Sequence, residues 1–150
     1  MEASINQADF QLMDNYISDF SLKVFRKIRN DSELTINGSI GFGIININEN
    51  DMIGQIEFRQ ILTIKEGAEN IANISITMNA LFQGNNKLSI SEFEEMLKIN
   101  GATTLSHFCR AYILSVTAQS GMQPITTPLI NFQNFFETAT QGNLDDMQSK

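Results

Sequence analysis

Apolar and polar residues alternate through most of the first 83 positions. Between Phe10 and Val24 the even positions are Phe10, Leu12, Asp14, Tyr16, Ser18, Phe20, Leu22 and Val24, mostly apolar. The odd positions include Gln11, Asn15, Asp19, Ser21 and Lys23. A period of two is that of a strand with one face buried. The charged and polar run 26–33 then serves as a connection. From Leu34 the apolar residues are Leu34, Ile36, Ile40, Phe42 and Ile44, after which the phase moves to Ile45 and Ile47. A bulge would shift the phase there, and so would burial on both faces. Asn37-Gly38 is alternatively a tight hairpin turn. Past the turn Glu49-Asn50-Asp51, residues Met52, Ile56, Phe58, Leu62 and Ile64 face one way, and Gln55, Glu57, Arg59, Thr63 and Lys65 the other. Glu66-Gly67 turns the chain again. Ala72, Ile74, Ile76, Met78, Ala80 and Phe82 then alternate with polar neighbours.

After Gly84-Asn85-Asn86 the period becomes helical. Ser91 followed by Glu94 suits a capping box, and Ile90, Phe93, Met96 and Leu97 make one apolar stripe ahead of Gly101. Leu105, Phe108, Cys109, Tyr112, Ile113 and Val116 make a second, with Gly121 placed to end that helix. Residues 122–130 hold both prolines, Pro124 and Pro128, and read as a non-helical crossing. Asn131 can cap a last helix carrying Phe132, Phe135, Phe136 and Ala139 on one face. Four strands followed by helices predict an α+β fold, a four-stranded antiparallel sheet with helices packed on its apolar face. We take 1–141 as one domain and 142–150 as a polar, disordered tail.

Composition narrows the chemistry. A chain of 150 residues with 42% hydrophobic residues can bury a core as one domain. A net charge of −7 disfavours nucleic acid, whose phosphates call for a basic face. With a single histidine (His107) and a single cysteine (Cys109), a structural zinc site lacks its ligands. No phosphate-binding glycine loop or nucleophile elbow is present. On a helix, His107 and Cys109 point about 200° apart, so they form no local nucleophile–base pair. The expectation is a protein that is no enzyme and needs no cofactor. The N-terminus lacks a signal-peptide pattern and no stretch approaches a membrane span, so the chain reads as cytoplasmic.

Calcium is an alternative. Asn46, Asn48, Asn50, Ile53, Glu57 and Phe58 fall at EF-hand template positions, and a second window runs from Leu81 to Phe93. The first loop offers neutral amides where tight binding wants carboxylates, with Asp51 in place of the turn glycine. The second has Leu81 at its first ligand position and Asn86 at its glycine position.

The stretches Leu105 to Ile113, Thr117 to Gly121 and Pro128 to Phe132 resemble the SecB family of export chaperones. In that family a helix carries an aromatic–x–Arg element, ends at glycine, crosses through prolines and enters a last helix at Pro-x-Asn-Phe. Phe108, Arg110, Gly121, Pro128, Asn131 and Phe132 occupy those positions here. The segment from Phe10 to Ser21 also resembles the family's first strand. Two departures are His107, where a proline is usual, and a longer Pro-to-Asn spacing.

The resemblance implies a chaperone that holds unfolded or precursor polypeptides in an apolar groove, for protein export or for toxin–antitoxin control. It implies a homo-oligomer, tetramer or dimer. For the groove it suggests Phe42, Met78, Phe82, Phe108, Tyr112, Met122, Ile125, Leu129, Ile130 and Phe132, the phenylalanines and methionines suiting varied clients. It suggests Asp19 for docking the motor SecA, although the other acidic positions of that dock fall on Lys23 and Ser75. A different reading is an oligomeric interaction protein whose apolar surfaces serve assembly alone.

Overall fold

The computed structural model describes residues 8–27 and 33–138. The expected tail at 142–150, and Ala139, lie outside them. Four strands, β1 (Phe10–Val24), β2 (Leu34–Asn48), β3 (Ile53–Glu66) and β4 (Glu69–Gly84), form one antiparallel sheet in the order β1-β4-β3-β2. Helix α1 (Ile90–Met96) runs through a π-helical turn (Leu97–Gly101) into α2 (Ala102–Gln119). The chain then crosses in irregular conformation to a helix at 132–138, here α3. The α+β architecture expected from the sequence is the one observed.

The inner face of β3 and β4 follows the alternation read from the sequence. Ile56, Phe58, Leu62 and Ile64 on β3, and Ala72, Ile74, Ile76, Met78, Ala80 and Phe82 on β4, are all buried. On β1 the register breaks between Leu12 and Asp14 and again between Ile17 and Asp19. Each bulge inserts one residue and reverses the facing. Between them the inward positions are therefore odd: Ile17 pairs with Met78, and Tyr16 pairs with Asn79 on the outer face. Tyr16 is thus 55% exposed, against its place in the apolar series. After the second bulge the even phase returns, and Phe20 and Leu22 face Ile76 and Ile74. The phase switch on β2 is likewise a bulge, between Ile44 and Asn46, so Asn37-Gly38 lies within one continuous strand rather than at a turn.

The helices sit close on this inner face where the facing residue lacks a side chain. Gly54 lies under Leu97, Gly84 under Phe93, and Gly101 against Ile56. Gly101 was expected to separate two helices. It instead has ordinary helical backbone angles and sits inside a continuous run, where its missing side chain lets the π-helical turn approach the sheet. The capping box is Ser89 with Glu92, two residues ahead of the Ser91–Glu94 pair expected. The Ser89 hydroxyl accepts from Glu92 N–H at 3.1 Å, and the Glu92 carboxylate accepts from Ser89 N–H at 2.7 Å. Those bonds hold the Glu92 carboxyl below its ordinary pKa. Gly121, with a φ of 78°, closes α2 as expected. Asn131 caps α3, its side-chain oxygen accepting Asn134 N–H at 3.2 Å.

A Cβ on Gly101 would come within 2.7 Å of Ile56 Cδ1, whereas one on Gly43 would meet nothing within 4 Å. Gly101→Val should therefore destabilise the fold by about 2 kcal/mol or more through overpacking. Gly43→Thr should stay within about 0.5 kcal/mol of the parent. Urea unfolding midpoints of the two variants check both values.

Candidate functional site: an apolar crossing pinned to a helix

The long helix buries a stripe of Ala102, Leu105, Ser106, Cys109, Ile113 and Thr117. Two small polar residues, Ser106 and Thr117, lie within this otherwise apolar stripe, and the aromatics lie outside it. Ser106 and Thr117 turn their hydroxyls back onto the carbonyls of Thr103 (2.9 Å) and Ile113 (2.7 Å), which satisfies them without leaving the helix. Phe108 and Tyr112 are displaced to the helix margin, 38% and 37% exposed. Burial pushes the Cys109 thiol up to about 12. It stays protonated, and so non-nucleophilic, at neutral pH.

Two polar side chains of α2 fasten the crossing. The Thr117 hydroxyl accepts Ile125 N–H at 2.9 Å, and Arg110 Nε donates to the Thr127 carbonyl at 2.8 Å. Ile125 and Thr127 are thereby held inward and buried, while Leu129, two residues on, is left 68% exposed. Arg110 belonged to the aromatic–x–Arg element noted in the sequence, but its crossing partner was not foreseen. Thr117 was missed. Its one signal in the sequence was a β-branched hydroxyl on a helix face just before a proline-bounded segment.

Nine of the ten groove positions suggested by the sequence fall into three groups, and Met122 stands apart. Met78, Phe82, Ile125 and Phe132 are buried in the core of the single chain. Phe82 stacks on Phe10 at 4.8 Å, and Phe132 meets Phe58 edge-on at 6.0 Å. On the β2 side, half-buried Phe42 meets Phe136 of α3 at 5.4 Å, with Ile130 and Leu129 just ahead of that helix. On the β1 side, Tyr112 meets Phe20 at 5.1 Å, and Phe108 lies one turn earlier on the same helix. Met122 is half-buried against the core near the start of the crossing. The ten therefore do not line one groove. They flank the sheet on two sides with a buried floor between.

The outer face is polar and mixed in charge. Asp19 is exposed there and opposite Thr77, with Arg59 opposite the same Thr77 from the other strand. Lys23 and Ser75 share this face. The calcium loops are not helix–loop–helix units. Asn46 and Asn48 lie in β2 and Glu57 in β3, and the Asn48 side-chain oxygen accepts the turn N–H groups of Asn50 (3.1 Å) and Asp51 (3.3 Å). Asn48 thus serves the hairpin turn, and the EF-hand geometry is overturned. Among the described residues no helix is long and apolar enough to cross a membrane.

The family described as preprotein translocase subunit SecB matches residues 3–143. The chain belongs to the SecB family. A solved SecB-like chaperone of Mycobacterium tuberculosis, in complex with a ChAD peptide from the HigA1 antitoxin, superposes on it with a TM-score of 0.69. The two share 17% identity over 81% of this chain and 91% of that one, so the likeness is one of fold. A Streptococcus agalactiae protein of unknown function aligns at a TM-score of 0.44 and 14% identity, over 79% of this chain and 96% of that one. No curated protein matches the chain. Within this SecB fold, the fastened crossing leads into α3, whose Phe136 meets Phe42 of β2.

Thr117→Val keeps the shape but leaves Ile125 N–H buried and unpaired, which should cost about 1–3 kcal/mol. Thr117→Ser should recover most of it. Urea unfolding and amide exchange at Ile125 measure both effects. A second expectation concerns Cys109. Its thiol should resist iodoacetamide at pH 8 in the folded chain and react once the chain is unfolded in urea. Because its folded pKa lies above the unfolded value near 8.5, the folded state binds more protons above that pH. Stability should then fall as pH rises past about 8.5, readable from urea midpoints at pH 8 and pH 10.

Proposed function

We propose that this SecB-family chain is a molecular chaperone that holds unfolded polypeptide on the β2 side of its helical layer. Family membership supports the chaperone role. The observation that carries the site is the crossing itself: Thr117 and Arg110 fix its backbone, which leaves Leu129 presented to solvent next in the chain to half-buried Ile130, while Phe42 and Phe136 meet each other at the core's margin. One exposed side chain is ordinary on a protein surface, and it is the run of Leu129 and Ile130 on a fixed backbone that we read as part of a contiguous apolar surface for a partner. Met122 extends the same apolar crossing, and the buried Met78, Phe132 and Ile125 form its floor.

The energetics suit loose, repeated holding. A client segment burying about 600 Å² of apolar surface gains roughly 15 kcal/mol. Ordering about ten backbone residues costs roughly 10–20 kcal/mol. One groove therefore holds a short segment weakly, and several grooves on one client hold it firmly. The α2 face suits the assembly this requires. His107, Phe108, Ala111, Leu114, Ser115 and Ala118 are all exposed along it. We assign that face to contact with further copies of the chain, in a dimer or tetramer.

For partners, the reading favours client holding over motor docking. Asp19, the one acidic position that the resemblance suggests for motor docking, is on the outer face together with Arg59 and Lys23. The antitoxin peptide bound by the similar Mycobacterium chaperone supports a toxin–antitoxin role as the alternative to export.

Holding is measured by the light scattered as a chemically unfolded client is diluted into buffer. The chain should suppress aggregation, and Leu129→Asp should weaken that suppression several-fold while leaving the unfolding midpoint within about 0.5 kcal/mol. Asp19→Lys should leave it unchanged. Equal suppression by Leu129→Asp would remove the site from the crossing.

A further inference from the structure

The buried inner face of β3 carries one side chain out of keeping with the rest. Gln60 pairs with Ile40 on β2 and Ile76 on β4, so its row across the sheet reads Ile40, Gln60, Ile76, Phe20. Phe58 and Leu62, its inward neighbours along β3, are buried, and Gln60 itself is only 5% exposed. An apolar residue would suit this row better, because a polar group taken out of water costs free energy unless it is paired.

Other buried polar side chains are paired within the fold. Ser106 and Thr117 bond to carbonyls of their own helix, and Asn79 donates to the Ser18 hydroxyl at 2.9 Å. Among the described residues, the buried polar side chains left without a bond are the Thr127 hydroxyl on the crossing and the whole carboxamide of Gln60 on the sheet. No side-chain N or O there is both sealed from solvent and unpaired. The small surface that Gln60 keeps therefore includes its amide, and the helical layer has an opening that ends on this group. Cover on either side comes from different helices. Phe132 and Phe136 of α3 meet Phe58 and Phe42 in the next row, and Tyr112 of α2 meets Phe20 at the far end of Gln60's own row. On β2 the nearest inward positions are half-buried Ile40 and exposed Gly38, which has no side chain.

We propose that Gln60 is the polar contact of the client site, its amide pairing through this opening with the main-chain N–H and C=O of the held polypeptide. The inference rests on the chaperone reading and names the residue by which that site recognises main chain. A carboxamide carries both donors and an acceptor in one plane, so it can donate to the C=O and accept from the N–H of one client residue. Apolar neighbours strengthen such a pair, and with no counter-charge in the row they disfavour a charged side chain in its place. The contact is therefore indifferent to client sequence. It also accounts for a residue that lowers the stability of the free chain, since local rules of packing are broken where a site needs them broken.

Gln60→Met removes the amide and nearly keeps the volume. The probe is a short synthetic peptide of leucine and serine with a lysine at each end; it has no asparagine or glutamine, so the amides it offers are main-chain ones. Calorimetry on the full chain should find binding to Gln60→Met weaker than to the parent by about tenfold. The urea midpoint of Gln60→Met should stay level or rise, because an apolar group replaces an unpaired polar one. In the parent, isotope-labelled at glutamine, the side-chain amide signal that Gln60→Met lacks should shift and exchange more slowly once the peptide binds. Equal binding by the two proteins, including none by either, overturns the role of Gln60, and so does an amide signal that the bound peptide leaves unmoved. A lower urea midpoint in Gln60→Met overturns it as well, and gives the amide to water or to a partner within the fold. In each of these cases a parent that still suppresses aggregation of an unfolded client keeps the chaperone reading; a parent that fails to do so loses that reading too.

Discussion

The structure depends on covering one apolar sheet face with helices at close range. The inner sides of β3 and β4 are largely hydrocarbon, interrupted by buried Gln60, and a sheet with one such face is stable only when another layer buries it. Here the closeness comes from missing side chains. Gly54, Gly84 and Gly101 each stand where a neighbour's ring or branched chain occupies the space a Cβ would need. On α2, Ser106 and Thr117 are buried with the apolar stripe, their hydroxyls satisfied by the helix's own carbonyls. Because Leu105, Cys109, Ile113 and Thr117 take the buried stripe, the aromatics of α2 stand at its margin. The exposed Phe108 and Tyr112 are thus a consequence of how the core closes.

The second constraint is the fastening of the crossing. A proline-bounded irregular segment must have its backbone groups paired by something other than a helix or a ladder. Thr117 and Arg110 supply this from α2, and the two contacts fix which side of the crossing faces inward. Ile125 and Thr127 go in; Leu129 stays out. From there Asn131 starts α3, whose Phe132 and Phe136 reach back to Phe58 and Phe42. The helical layer therefore covers the middle strands well and the β2 edge incompletely.

Much of the fold was legible in the alternation of residues, because a two-residue period admits few interpretations when one face is buried. It failed locally where bulges change parity. Asp14 and Ser18 interrupted the apolar series of β1, and those interruptions were the bulges' trace, yet Tyr16 still read as inward. Helix boundaries were less legible, since Ser89 and Ser91 are both followed three residues later by glutamate and only packing of Phe93 decides between them. Gly101 stood between two helical stripes in the sequence, where a packing glycine and a breaking glycine look alike. The site was half legible. Hydrophobicity alone does not distinguish the apolar residue that fills a core from the one beside it that is left for a partner, so Met78, Phe82, Ile125 and Phe132 were grouped with Leu129 and Ile130. The residues that do the sorting, Thr117 and Arg110, are polar and act through long-range bonds that no periodicity reports.

The central claim is that the exposed apolar surfaces serve both assembly and client holding, which a monomer with a finished core would not need. Mass measured by light scattering, alone and with a chemically unfolded client, tests both parts at once. The account predicts an assembly of several 16.8 kDa chains that gains the mass of a bound client. A 16.8 kDa monomer whose mass does not change when the client is added would contradict it.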